Sequence, residues 1–123
     1  MFTRGIVRRE QLREDGAMTD EIVPQDIADD AVVLDVREQD EWDAGHAPNA
    51  IHVPLGDLPT RLDDVPATDA TLPVVCRSGG RSGRAVAWLS QQGYDVVNVD
   101  GGMKAWAQAG KPVESANGPG EVI

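Results

Sequence analysis

Cys76, Arg77, Ser78, Gly79, Gly80, Arg81 and Ser82 are consecutive, and together they suit one kind of chemistry. The cysteine is the only one in 123 residues, and it stands between an apolar run and an amphipathic stretch. Gly79 and Gly80 permit positive φ, so the segment can curl with its amides turned inward. Inward amides make an anion-binding nest, and the unpaired amides of a following helix add to it. Arg77 and Arg81 supply two cations to the same seven residues. Every one of these features stabilises a thiolate and so lowers the pKa of a thiol at the centre. A lone cysteine closing a strand is more often a small core residue, and arginines often make surface ion pairs. The coincidence of all the features on one loop favours a nucleophilic cysteine in a small anion pocket.

Such a loop has to be held by something. Residues 31–36 are an apolar, β-branched run, as expected of a strand covered on both faces. Residues 38–44 read as a short helix closed by Gly45, and 51–53 as a strand stopped by Pro54. Leu55, Leu58 and Leu62 give a one-sided helical spacing in spite of Pro59. Residues 72–76 form a third strand, 82–92 a helix with Gly93 past its end, and 96–99 a fourth strand. A last helix covers 103–109 before Gly110 and Pro112. Strands alternating with helices predict an α/β fold, a parallel sheet with helices on both faces. In such sheets ligands bind at the carboxyl ends of the strands, where Cys76 falls.

The composition narrows the function classes. At 123 residues and 13.2 kDa the chain fits one domain. One cysteine excludes an internal disulfide framework, and with two histidines it makes no zinc site without carboxylates. No apolar run is long enough for a membrane span. The net charge of −10 opposes broad binding to nucleic acid or anionic lipid. Residues 1–17 are locally basic, lack the apolar core of a secretory signal, and read as a flexible extension with Met18 as the natural start. The expected domain covers 18–113, with 114–123 as a C-terminal tail whose turn-rich residues 117–120 are expected to fray. The expected location is the cytoplasm.

The loop CRSGGRS resembles that of a single-domain rhodanese, together with Leu34-Asp35-Val36-Arg37-Glu38-Gln39-Asp40-Glu41-Trp42 and Gly45-His46-Ala47-Pro48-Asn49-Ala50. Gly93-Tyr94, Val97-Asn98-Val99 and Asp100-Gly101-Gly102-Met103-Lys104-Ala105-Trp106 follow the same pattern, in the same order. Ala47 and Asn49 depart from it, at a structural turn. The resemblance implies a five-stranded parallel sheet flanked by helices on both faces. It also implies sulfane-sulfur transfer through a persulfide on Cys76, cradled by residues 77–82. The implied donor is thiosulfate or another small anionic sulfur compound, and the acceptor a thiol, cyanide or a protein thiol. No cofactor and no metal are implied.

Two competing readings come with the resemblance. A cysteine phosphatase or arsenate reductase can use the same fold, but with a C-x5-R loop. Here Cys76 to Arg81 is C-x4-R, a tighter ring, and no second thiol is present to resolve an oxidised intermediate. A non-catalytic binding module is the other, and it would be expected to have lost part of the loop. Among the remaining residues, Asp35 and Arg37 read first as an ion pair bracing the loop, with a direct bond to it as the alternative. His46 and His52 read as structural groups, and Trp42, Trp88 and Trp106 as packing residues, with Trp106 also able to line the pocket mouth. Lys104 and the pairs Asp29-Asp30 and Asp63-Asp64 read as solvated charge.

Overall fold

The computed structural model describes residues 21–123, so the extension 1–17 and the Met18 start lie outside the described residues. Five strands, β1 (Glu21–Ile22), β2 (Val33–Asp35), β3 (Ala50–His52), β4 (Leu72–Val75) and β5 (Val96–Val99), form one sheet in the order β1-β5-β4-β2-β3. Every pairing in it is parallel, which makes the fold the five-stranded α/β sheet that the sequence implied. β2, β4 and β5 are buried at every position, the reason their sequences are nearly continuous apolar runs rather than alternating ones.

The side-chain alternation of the strands sorts the core into two layers. Leu34, Val74, Cys76 and Val96 face α2 (Gly80–Gln91), packing with its Ala85 and Leu89. Val33, Val75, Val97 and Val99 face α3 (Gly102–Gln108), where Met103 and Trp106 fill the other side. A shorter helix, α1 (Gln39–Ala44), begins with a capping box in which Glu38 and Glu41 each accept from the other's backbone N–H. Among the described residues no helix is long and apolar enough to cross a membrane.

Two local readings change, and the fifth strand that the resemblance implied is found. The helix expected over 55–62 is two 3₁₀ segments, Leu55–Thr60 and Leu62–Asp64, because Pro59 removes a donor and only Leu58 is buried. The fifth strand, two residues long, carries no local strand signal; pairing of Glu21 with Asn98 and Ile22 with Val99 defines it. The tail is not frayed. Glu114–Ser115 (β6) and Gly118–Pro119 (β7) form a hairpin, His46 and Glu114 exchange backbone hydrogen bonds of 2.9 Å, and Glu121 N–H donates to Ala44 O at 2.9 Å. The turn residues that suggested disorder instead close this hairpin, and Val113 and Val122 anchor it on the core.

Candidate active site

Cys76 follows the last residue of β4 at the carboxyl end of the sheet, where a turn of four residues joins strand to helix. Gly79 takes φ +117° as the N-cap of α2, and this left-handed residue turns the loop so that its amides face the sulfur. Gly79 N–H donates to Cys76 Sγ at 3.0 Å, and Ser82 Oγ–H lies 3.3 Å from it. Burial pushes the thiol pKa up, since Cys76 is 1% exposed. The Ser82 hydroxyl and the amides of Ser82, Gly79 and Ser78 outweigh burial, and the net direction is down from 9.0. The first turn of α2 adds its positive end. Of the predicted cradle residues, Gly79 and Ser82 therefore hydrogen-bond the sulfur, and the Ser78 amide helps to lower its pKa.

The two arginines do not. Arg81 is held by Glu41: Nη1 donates to Oε1 at 2.7 Å and Nη2 to Oε2 at 2.8 Å. That bidentate pair lowers the Glu41 pKa to about 2 and raises that of Arg81, with the neighbouring Cys76 charge adding to the latter. Arg77 is exposed, and its Nε donates to Ile123 O at 2.9 Å. Gly80 is exposed and has open space around it.

Behind the loop lies a second layer of polar contacts. Ser82 Oγ–H is 2.5 Å from Asn98 Oδ1 on β5, and Asn98 Nδ2 donates to Gly79 O at 3.1 Å and to Glu21 Oε2 at 3.3 Å. Both of those partners only accept, which fixes the orientation of the Asn98 amide. From the other side, Met103 N–H donates to Cys76 O at 2.7 Å and Lys104 N–H to Arg77 O at 3.0 Å. Gly102, at φ +59°, permits that approach: a Cβ there would stand 2.6 Å from Arg77 O.

Asp35 and Arg37 are an ion pair, with both side chains fully buried. Arg37 donates through Nε at 2.9 Å and Nη2 at 2.7 Å to Asp35, and through Nη2 to Gly45 O at 2.7 Å. They brace the turn after α1 and make no bond to the cysteine loop. His46 Nδ1 and His52 Nε2 each face a carbonyl, of Trp42 and Arg37 respectively, at 2.8 Å, so those nitrogens carry the proton. Trp42 is stacked on both histidine rings and is half-buried. Trp106 is 1% exposed in the layer facing away from Cys76, so it does not line the mouth.

Glu41, Asn98 and Gly102 were not singled out from the sequence. Asn98 had a usable signal, a polar residue inside an apolar strand covered on both faces, where an unpaired amide is costly. Glu41 had none, because its partner is 40 residues away.

The comparisons agree with this fold. The rhodanese-like domain family matches residues 19–109. A protein of Allochromatium vinosum named sulfurtransferase is 39% identical over 101 residues, 80% of this chain and 94% of that one. The crystal structure of a rhodanese-related protein from Thermoplasma volcanium superposes with a TM-score of 0.68 at 34% identity, covering 76% of this chain and 95% of that one. A thiosulfate sulfurtransferase of Pseudomonas aeruginosa gives a TM-score of 0.68 at 25% identity, covering 85% of this chain and 22% of that chain. The family match spans the whole sheet, both layers and the complete cysteine loop, and the chain belongs to the rhodanese-like domain family.

Proposed function

We propose that the protein is a sulfurtransferase that carries sulfane sulfur as a persulfide on Cys76. The observation that carries this reading is the thiol held low, against burial, by Gly79 N–H at 3.0 Å and Ser82 Oγ–H at 3.3 Å. The Cys76 thiolate attacks the outer sulfur of thiosulfate; the S–S bond of the donor breaks, and sulfite leaves with the electron pair. With an organic persulfide the thiolate takes the terminal sulfur and a thiol leaves. The enzyme persulfide is anionic, and the amides of residues 78–82 stabilise it where it forms. Attack by cyanide on its terminal sulfur gives thiocyanate and returns the thiolate; attack by a small-molecule or protein thiol gives that acceptor's persulfide.

No general base is required, because the thiol is already biased toward ionisation by the loop that holds it. The cycle balances without a cofactor. A single thiol that must stay reduced fits the cytoplasm. Mass spectrometry after incubation with thiosulfate, followed by thiocyanate release on adding cyanide, tests the reading. Wild type gains one sulfur and releases it, whereas Cys76→Ser gains none. Equal sulfur uptake by both would overturn the assignment.

A further inference from the structure

Cys76 stands in a loop with two arginines, and of these only Arg81 is paired with an acidic side chain among the described residues. Arg77 donates to Ile123 O, whereas Arg81 gives both Nη atoms to Glu41. The Glu41 side chain is 13% exposed and that of Arg81 33%. The carboxylate is also fixed from its own helix, since Oε1 accepts Glu38 N–H at 2.9 Å. Two locked ends make this pair a fixed feature beside the cysteine loop rather than an exchanging surface contact. It is charged at neutral pH, because the carboxyl titrates at about 2. Arg81 directly precedes Ser82, whose Oγ lies 3.3 Å from Cys76 Sγ, so the pair stands beside the cradle of the reacting sulfur, and the Cys76 charge acts on Arg81. Glu38 adds a further negative charge acting on Arg81, and the chain as a whole carries −10.

From this arrangement we propose that Glu41 is a specificity-determining residue for the sulfur donor. By neutralising Arg81 it withholds a cation from the incoming anion, so the site favours donors with one negative charge, such as organic persulfides and thiosulfonates, over the dianion thiosulfate. The inference rests on the reading of Cys76 as sulfur acceptor, and it concerns which donor is used.

Thiosulfate and methanethiosulfonate test it, since both present a sulfane sulfur on a sulfonyl sulfur and differ by one charge. With methanethiosulfonate the thiolate takes the outer sulfur and methanesulfinate leaves, so both donors give the same persulfide, which cyanide discharges. The readout is the ratio of kcat/KM for thiosulfate to that for methanethiosulfonate. Glu41→Gln keeps an oxygen for Glu38 N–H while removing the charge. One added unit charge on a partly desolvated side chain beside the loop changes the preference by about tenfold or more, so the ratio rises by that factor. Arg81→Met leaves Glu41 uncompensated and lowers the ratio below wild type. The double variant removes both charges and returns it close to wild type. A ratio that stays within about threefold of wild type in Glu41→Gln and in Arg81→Met would reduce the pair to a structural brace and overturn the inference. Failure of wild type to gain sulfur from either donor overturns the proposed function itself, a separate outcome.

Discussion

Ser82 Oγ lies 2.5 Å from Asn98 Oδ1 and 3.3 Å from both Cys76 Sγ and Gly79 O, so one hydroxyl proton has three acceptors that cannot all receive it. With a neutral thiol the proton points to Asn98; with a thiolate or persulfide it is drawn to the sulfur. Asn98 Nδ2 meanwhile fixes Gly79 O, and hence the amide that donates to the sulfur. The strand β5 therefore sets the hydrogen-bonding environment of a cysteine on β4.

Ser82→Ala is expected to raise the thiol pKa, moving it back toward 9.0, because the hydroxyl is the largest of the interactions that hold it down. The sign follows from the nucleophile being the thiolate: kcat/KM falls as pH drops through the folded-state pKa. A depressed folded pKa also adds stability that is present above 9.0 and lost as pH falls through the folded value. The variant shifts the pH-rate profile to higher pH and slows transfer about three- to thirtyfold at neutral pH. An unshifted profile would show that the amides alone hold the thiolate.

Asn98→Asp places a carboxylate where an amide oxygen accepted from Ser82 and an amide nitrogen faced Glu21 and Gly79 O. The new charge captures the Ser82 proton and repels a thiolate, so the thiol pKa rises. Iodoacetamide alkylation across a pH series measures it directly. The expected curve lies above that of wild type; a curve at or below it would remove Asn98 from the sulfur's environment.

Gly102→Ala and Gly93→Ala separate backbone strain from collision. Both glycines have positive φ, at +59° and +95°, but only Gly102 has the Cys76 and Arg77 carbonyls in the way of a Cβ. Gly93→Ala is expected to cost about 1–2 kcal/mol of stability from strain alone. Gly102→Ala adds overpacking of about 1–3 kcal/mol and, by displacing the Cys76 carbonyl, slows sulfur transfer as well. Urea denaturation and a rate assay on both variants make the comparison. Equal costs would mean that the loop yields freely.

Arg37→Ala leaves the Asp35 carboxylate fully buried without its partner. Breaking such a pair costs about 3–5 kcal/mol, read as a fall in the urea midpoint. Because Arg37 bonds Asp35 and Gly45 rather than the cysteine loop, folded protein should still add sulfur to Cys76. A loss of less than about 1 kcal/mol would indicate that water reaches the carboxylate.

The chain order of strands, helices and glycine turns was legible from residue periodicity, because burial on both faces demands apolar runs and helix ends demand glycine. So was the cysteine loop, whose nucleophile, glycines and serine are contiguous. Fraying of the tail at 117–120 was the wrong expectation, since a turn-rich segment ordered by Ala44 and His46 carries no mark of them in its own sequence. The charge of the pocket was likewise beyond the sequence. Arg81 reads as a free cation until the fold brings Glu41 from α1 against it, and Ser82 reads as a helix start until β5 places Asn98 behind it. Local pattern reports which groups a segment must bury or cap. Which distant group neutralises or accepts from another depends on strand order and helix placement, and in this protein that is decided by the crossovers that put β4 between β2 and β5.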